Sequence, residues 1–183
     1  MLAVWIVIGV VVLAALWAVY AYNRLVRLRV NVDNAWSQID VQLRRRYDLI
    51  PNLIESVKGY AAHEREVFED VTQARAAAQG ATGVQGQADA ENAVSKSLGR
   101  LLAVAENYPE LKANQNFLAL QEELTGTESK IAYARQFYND EVASLNTKIQ
   151  SFPSSVIARA GTFQPREFFE IDEPARGPVG VQF

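Results

Sequence analysis

The chain contains no cysteine and only one histidine among its 183 residues. Disulfides, thiolate nucleophiles and sulfur ligands for metals are therefore excluded, whereas the redox compartment stays open because a cysteine-free chain tolerates either side of a membrane. The histidine, His63, begins HEREV, which resembles the start of a zinc-binding HExxH, but Val67 occupies the second ligand position. We expect no metal site and no cofactor.

Catalytic fingerprints are missing as well. The sequence has no GxSxG, no P-loop and no dinucleotide motif, and the glycines of GATGVQGQ follow no strand and precede no phosphate-binding lysine. Pairs of carboxylates occur, but they lack the Glu-x-x-His partners of di-iron bundles. We therefore expect no catalytic residues and a protein that is not an enzyme.

Positive charge is scarce overall, and its distribution is uneven. The formal net charge of −3 argues against a nucleic-acid partner, because such domains need a basic face to replace the counterions around phosphates. Residues 23–50 nevertheless carry six arginines against three acids, and the rest of the chain is acidic. The basic residues thus follow the most apolar part of the sequence.

That apolar part, residues 2–22, has no charged side chain and would span roughly 31 Å as a helix, which matches a bilayer core. A cleaved signal peptide is the alternative, but there is no basic n-region, the run is too long and no small-x-small site follows. We expect a single-pass anchor whose aromatic end lies at the lipid headgroups. The expected headgroup contacts are Arg24, Arg27 and Arg29.

The same arginines set the expected orientation. By the positive-inside rule, we expect the N-terminus to lie outside the membrane and the C-terminal domain to lie in the cytoplasm. Membrane lipid is therefore an expected partner.

Beyond the anchor, apolar residues recur in steps of three and four, which predicts helices and no strands. The first helix reads as continuous to about Gln79, the second begins near Asp89, and a third of nearly forty residues follows the reversal at YPEL. A short fourth helix, SSVIARAG, ends at Gly161 as its C-cap. The fold class is all-α: an N-terminal transmembrane helix (1–22), an elongated antiparallel bundle of three long helices and a short fourth (23–161), and an irregular tail (162–183).

The predicted lengths do not match. The first cytoplasmic helix would run roughly 85 Å, against about 30 Å for the second and 58 Å for the third. Either the chain bends back near Pro51, or the apolar face formed by residues Leu25 to Leu43 of the first helix packs on something outside the monomer. We call this face the stripe. We take self-association as the simpler explanation and expect a homo-oligomer whose seam consists of Leu25, Leu28, Val32, Trp36, Ile39 and Leu43.

The segment RRRYDLIPNL places a proline inside the first helix. Pro51 removes one backbone donor and leaves the carbonyl of Tyr47 unpaired, so the helix should kink, and Asn52 or a neighbouring arginine could cap that carbonyl. The three arginines form either a solvated face or an elbow at a subunit or lipid interface. The residues assigned to this kink are Arg44, Arg45, Asp48, Pro51 and Asn52.

Four segments that follow the apolar anchor carry a family resemblance: RRRYDLIPNL, YPELKANQNF, RQFYNDEVASLNTKIQSFPS and the late PREFFE. In these segments and in the anchor, the sequence resembles the LemA family of bacterial membrane proteins. The resemblance implies one N-terminal anchor, an elongated helical bundle and no established enzymatic activity. It brings no catalytic residues. The resemblance also implies an association with envelope stress, with a membrane metalloprotease or with membrane remodelling, as in some relatives.

Two functions follow as expectations. The first is a non-enzymatic membrane-anchored scaffold that self-associates and organises membrane or envelope proteins. The alternative is an adaptor or regulator of a membrane metalloprotease or an envelope-stress sensor, with a partner surface in the YPELKANQNF segment or in the C-terminal tail. Its assigned residues are Tyr108, Pro109, Asn114 and Asn116.

Overall fold

The computed structural model describes residues 1–170 and contains six helices and no strand in that range. The predicted all-α class is confirmed, with a long apolar N-terminal helix followed by a helical bundle. The helices are α1 (Leu2–Lys58), α2 (Arg65–Gln79), α3 (Val84–Glu106), α4 (Pro109–Lys112), α5 (Gln115–Gln150) and α6 (Ser154–Ala160). Residues 162–170 form neither helix nor strand, and the remainder of the predicted tail lies outside the described residues.

The apolar start of α1 is long enough and apolar enough to cross a membrane, and its side chains are not buried by the rest of the chain. Most of residues 2–20 are exposed, whereas Ala21 and Leu25 are buried. The helix therefore passes without a break from a lipid-compatible surface into a packed core.

The first compact unit consists of Met1–Asp40 and Tyr133–Glu167. Here α1 and α5 run antiparallel: Asn31 Nδ2 donates to Glu141 at 3.2 Å, and the rings of Trp36 and Tyr138 meet edge to face at 5.4 Å. The core of this unit consists of Leu25, Leu28, Val32, Ala35, Ile39, Tyr138, Val142, Leu145, Ala158 and Phe163.

Residues after α6 are held against this unit by polar contacts. Asn146 accepts from the backbone N–H of Arg166 and donates to its carbonyl, both at 2.9 Å, and the Arg166 guanidinium pairs with Asp33 at 2.8 Å. The Tyr138 hydroxyl donates to the carbonyl of Glu167, and burial raises the pKa of Tyr138. These contacts account for Arg166, the basic residue of PREFFE, without a ligand.

Gly161 is the C-cap of α6, as predicted, although its φ of −87° is not left-handed. The reason for a glycine is space, since a Cβ there would lie 2.7 Å from the ring of Phe163 and 3.1 Å from that of Tyr22.

The second compact unit contains residues 41–132 and, within the described part of the chain, 168–170. It includes the end of α1, all of α2, α3 and α4, and the start of α5, with α2 packed against α3. Its core consists of Leu43, Tyr47, Ile50, Leu53, Val57, Phe68, Val71, Val94, Leu98, Leu101, Leu111, Phe117, Leu124, Ile131 and Phe169.

Two predicted helix boundaries are wrong. The first helix ends at Lys58 and not near Gln79, because the Val57 carbonyl accepts from the N–H groups of both Tyr60 and Ala61 in a turn. The pattern concealed this turn, since Ala61 is buried four residues after Val57, as it would be in a helix. The chain thus bends back, but beyond Pro51.

The second boundary concerns α3, which begins at Val84 and not near Asp89. The preceding Gly83, at φ +77°, takes the left-handed conformation that glycine allows. Gly86 is tolerated one turn later, where it costs about 1 kcal/mol relative to alanine. Asp89 lies inside the helix and accepts from Gln85 at 3.1 Å.

Candidate functional site

The most unusual cluster of side chains lies in the second unit, around Arg46. This arginine is only 2% exposed, and its Nη1 lies 2.9 Å from Oε2 of Glu91, which is fully buried. Its Nη2 donates to Ser95 at 2.8 Å, and its Nε lies 2.8 Å from Glu128, though without the alignment of a hydrogen bond. One cation is thus placed between carboxylates from α3 and α5.

Tyr47 and Gln87 complete this cluster, which we call the Arg46 cluster. The Tyr47 hydroxyl donates to Glu91 Oε1 in a short hydrogen bond, and Gln87 Nε2 donates to that oxygen at 2.8 Å and to the Tyr47 oxygen at 3.0 Å. Burial and the hydrogen bond to the Glu91 carboxylate raise the pKa of Tyr47. The hydroxyl therefore remains protonated and serves as a donor.

Glu128 differs from Glu91 because it is half-buried at the edge of the cluster. Burial raises the pKa of its carboxyl, although the nearby Arg46 acts in the opposite direction. The buried side chains of the cluster are paired with one another across helices, so its geometry favours a structural lock over chemistry.

The predicted kink residues lie on the exposed side of α1, away from the buried Arg46. Arg44, Arg45, Asp48, Pro51 and Asn52 are all exposed. Arg45 forms a surface ion pair with Glu123 at 2.8 Å. The exposure of Arg44 and Arg45 agrees with both a solvated face and an interface elbow, whereas the solvated-face interpretation is wrong for Arg46, because Arg46 is buried.

Pro51 lies inside α1, and the carbonyl that it leaves unpaired is satisfied from α2. Arg75 Nε donates to the Tyr47 carbonyl at 2.7 Å. Of the two caps expected from the sequence, the neighbouring arginine is the one observed. The proline thus creates a hydrogen-bond acceptor that links α1 to α2.

This link gives a testable prediction. Arg75→Ala should lower the free energy of unfolding by about 1.5–3 kcal/mol, because a buried carbonyl loses a charged donor. In a Pro51→Ala background the loss should be smaller, since the alanine supplies its own backbone N–H to the same carbonyl. Urea unfolding followed by circular dichroism, in a double-mutant cycle, measures the difference. Arg65→Ala is the control, since Arg65 is an exposed arginine of α2. If Arg75→Ala lowered the free energy of unfolding equally in the parent chain and in the Pro51→Ala chain, the result would contradict the link.

The predicted oligomer seam is not an open surface. Five of its six residues are at most 5% exposed: Leu25, Leu28, Val32, Ile39 and Leu43. The sixth, Trp36, packs on Tyr138. The expectation that this stripe is left uncovered within the monomer is wrong, because the chain itself buries it.

The predicted headgroup arginines are all exposed on α1, directly after the apolar run. One of them, Arg29, also lies over the ring of Phe163, 5.4 Å from its centre. The placement is compatible with the predicted lipid contact.

Two residues of the predicted partner surface, Pro109 and Asn114, have structural roles at the starts of α4 and α5. Pro109 is the first residue of α4, and Asn114 accepts from the N–H groups of Asn116 and Phe117 at the start of α5. Asn114 also donates to the hydroxyl of Tyr60. Tyr108 is half-buried, so Pro109 and Asn116 are the exposed members of this set.

Sequence reasoning missed Arg46, Glu91, Glu128 and Gln87 as a group, although a signal was present. Arg46 falls between Leu43 and Ile50, directly before the buried Tyr47 that fills the inward step there. Glu91 stands between the buried Ala88 and Val94, and Glu128 between Leu124 and Ile131. The buried face of each of the helices α1, α3 and α5 thus has a charged residue at or next to a position where the spacing predicts a buried side chain.

A groove of about 500 Å³ adjoins this region between α1 and α2. Apolar side chains of both helices line it, with charged residues at its rim. Within residues 1–170, no three side chains of the metal-ligating types are grouped to hold a metal ion.

The sequence is similar to a known protein family and to several known proteins. The LemA family model matches residues 35–183. The chain is 25% identical over 180 residues to the magnetosome proteins MamQ 2 and MamQ 1 of Paramagnetospirillum magneticum, covering 84% of this chain and 66% of theirs. It is 26% identical over 157 residues to Protein LemA of Metamycoplasma hominis, covering 82% of this chain and 72% of that protein.

The chain therefore spans just under two thirds of the MamQ proteins. Together with the apolar helix, these relatives suggest a membrane protein. Because the family model covers well over half of the sequence, from the middle of α1 onward, the chain belongs to the LemA family.

Proposed function

We propose that the protein is a non-enzymatic, membrane-anchored helical scaffold that self-associates and organises membrane or envelope proteins. The observation that carries the proposal is an aromatic pair on α5: Tyr133 is 75% exposed and Phe137 is 45% exposed. Residues four apart lie on one face of a helix, so the two rings form one surface. Aromatic residues are enriched at protein interfaces, which favours this face as a contact between copies.

The other features of the body support a scaffold. The seam residues and the Arg46 cluster stabilise the bundle internally and leave its exposed faces free for contacts. Neither the family name nor the names of the relatives denotes an enzyme.

Cysteine crosslinking in native membranes tests self-association, since the chain has no cysteine of its own. Phe137→Cys should give a disulfide-linked dimer under mild oxidation, because copies of the same face meet. Gln38→Cys, an exposed position of α1 in the same unit, is the matched control. A maleimide reagent checks that both thiols are accessible. Accessible thiols with no more dimer at position 137 than at position 38 would refute this surface.

For the location, we propose the bacterial inner membrane with the N-terminus outside and the helical body in the cytoplasm. The support is the position of Arg24, Arg27 and Arg29, all exposed at the end of the apolar run. External protease should leave the body intact in spheroplasts and digest it after lysis. Digestion in intact spheroplasts would reverse the orientation.

A second candidate is an adaptor or regulator of a membrane protease or envelope sensor, and the groove between α1 and α2 favours it. Ile50, Ile54 and Phe68 line the groove, which suits a short apolar segment of a partner. A photo-crosslinking amino acid at Gln73, which also lines it, should capture a different protein in cells. The same amino acid at Gln136, which is exposed in the other unit, is the control. If position 73 formed adducts only with other copies of this chain, the result would contradict the adaptor function.

A further inference from the structure

We propose that the turn between α5 and α6 is a second membrane contact, which inserts its apolar tip among anionic lipid headgroups beside the anchor. The tip consists of Phe152, which is 84% exposed, Pro153, and Val156, which is 58% exposed. The inference rests on the anchor lying in a bilayer, and it does not depend on self-association.

The antiparallel register places this tip at the level of the membrane. Asn31 of α1 lies opposite Glu141 of α5. Moving nine residues along each helix toward the anchor brings Tyr22, the last residue of the apolar run, opposite Gln150, where α5 ends. Phe152 therefore lies level with the end of the anchor.

The far end of α6 supports this placement independently. The ring of Phe163 meets that of Tyr22 edge to face at 5.6 Å, and a Cβ on Gly161 would lie 3.1 Å from Tyr22. Both ends of α6 are therefore close to the point where α1 leaves the apolar run.

The buried side of α6 fixes the direction of its exposed side. Ser154 and Ala158 are at most 1% exposed, and the Ser154 hydroxyl donates to the carbonyls of Lys148 and Ser151 at 2.7 and 2.9 Å. Val156, midway between them, is exposed. A well-packed helix thus presents apolar side chains that the first unit does not cover.

Charge identifies the occupant as an anionic lipid surface. The chain has 21 acidic residues, yet none lies in residues 1–32 or 142–166, the two segments that meet at this end of the first unit. The same segments hold six basic residues: Arg24, Arg27, Arg29, Lys148, Arg159 and Arg166. Arg166 is already paired with Asp33, which leaves five for the lipid surface. A basic, acid-free surface with an apolar tip has the composition of interfacial membrane contacts.

Depth-dependent quenching in a bilayer tests the proposal on the full chain. Single-cysteine variants Val156→Cys, Ser144→Cys and Gln136→Cys carry the fluorophore NBD in liposomes of phosphatidylcholine and phosphatidylglycerol. Lipids with doxyl groups on their acyl chains act as quenchers. Ser144 and Gln136 are exposed and lie about 9 and 21 Å before the end of α5, so they form a ladder away from the membrane.

Quenching should be about threefold stronger at position 156 than at position 136, with position 144 in between. Adding Phe152→Asp to the Val156→Cys chain should remove most of that excess while leaving the quenching at position 136 unchanged. Liposomes of phosphatidylcholine alone should weaken the contact, because the basic residues then lose their partners. Equal quenching at positions 156 and 136 would overturn the proposal, as would an excess that survives Phe152→Asp.

Discussion

Replacing Arg46 with alanine is expected to lower the free energy of unfolding by about 3–5 kcal/mol, because the change leaves a buried carboxylate without its cation. Glu91 is fully buried and retains only the hydrogen bonds from Tyr47 and Gln87. Urea unfolding of the full chain in detergent, followed by helical circular dichroism, measures the loss.

Arg45→Ala is the matched control for this prediction. Its ion pair with Glu123 has the same type of contact at 2.8 Å, but both side chains are roughly half exposed. Such surface pairs contribute about 0–1 kcal/mol. If Arg46→Ala cost no more than Arg45→Ala, the Arg46 cluster would not be the lock described above.

A second comparison separates the ion pair from the packing around it. Arg46→Met with Glu91→Leu replaces both charges by apolar side chains of similar length. This double variant should recover most of the stability lost in Arg46→Ala. Removing one partner of a buried ion pair is strongly destabilising, whereas replacing both partners by apolar side chains of similar volume is often neutral. Recovery would show that the single variant is destabilised by the uncompensated charge.

Ile39→Asp is expected to unfold the first unit, at a cost above about 4 kcal/mol, because it deletes a buried side chain and introduces an unpaired charge. Ile39 is 0% exposed. Fluorescence of Trp36, which packs on Tyr138, reports on this unit once Trp5 and Trp17 are replaced by phenylalanine. The emission should shift to the red at once, without denaturant.

Gln38→Asp is the control, since it places the same carboxylate one residue earlier on an exposed position. It should change stability by no more than about 0.5 kcal/mol. The comparison also distinguishes an internal core from an oligomer seam. At an open seam, Ile39→Asp would give a folded monomer with native Trp36 emission, and that result would contradict the burial described here.

The parts of the fold that could be predicted are those with a local physical cause. The long apolar helix at the start of α1 followed from twenty-one residues without charge, and the other helices followed from their three-and-four spacing. The arginine that caps the Tyr47 carbonyl was foreseen as a type, because Pro51 must leave an acceptor unpaired. Its identity, Arg75, depends on how α2 folds back.

The parts that could not be predicted depend on contacts between distant residues. The stripe from Leu25 to Leu43 is the same whether it packs on α5 or on another copy, so periodicity alone could not choose. Arg46 and Glu91 are separated by 45 positions, and each alone reads as surface charge. Only their pairing accounts for their burial.

The most direct test of the proposed scaffold is the mass of the full-length protein in mild detergent, measured by light scattering over a range of concentrations. We expect a protein mass of at least twice the 20.3 kDa of one chain. The double variant Tyr133→Glu with Phe137→Glu should be a monomer with unchanged helical circular dichroism. A parent protein that remains a monomer at every concentration would contradict self-association.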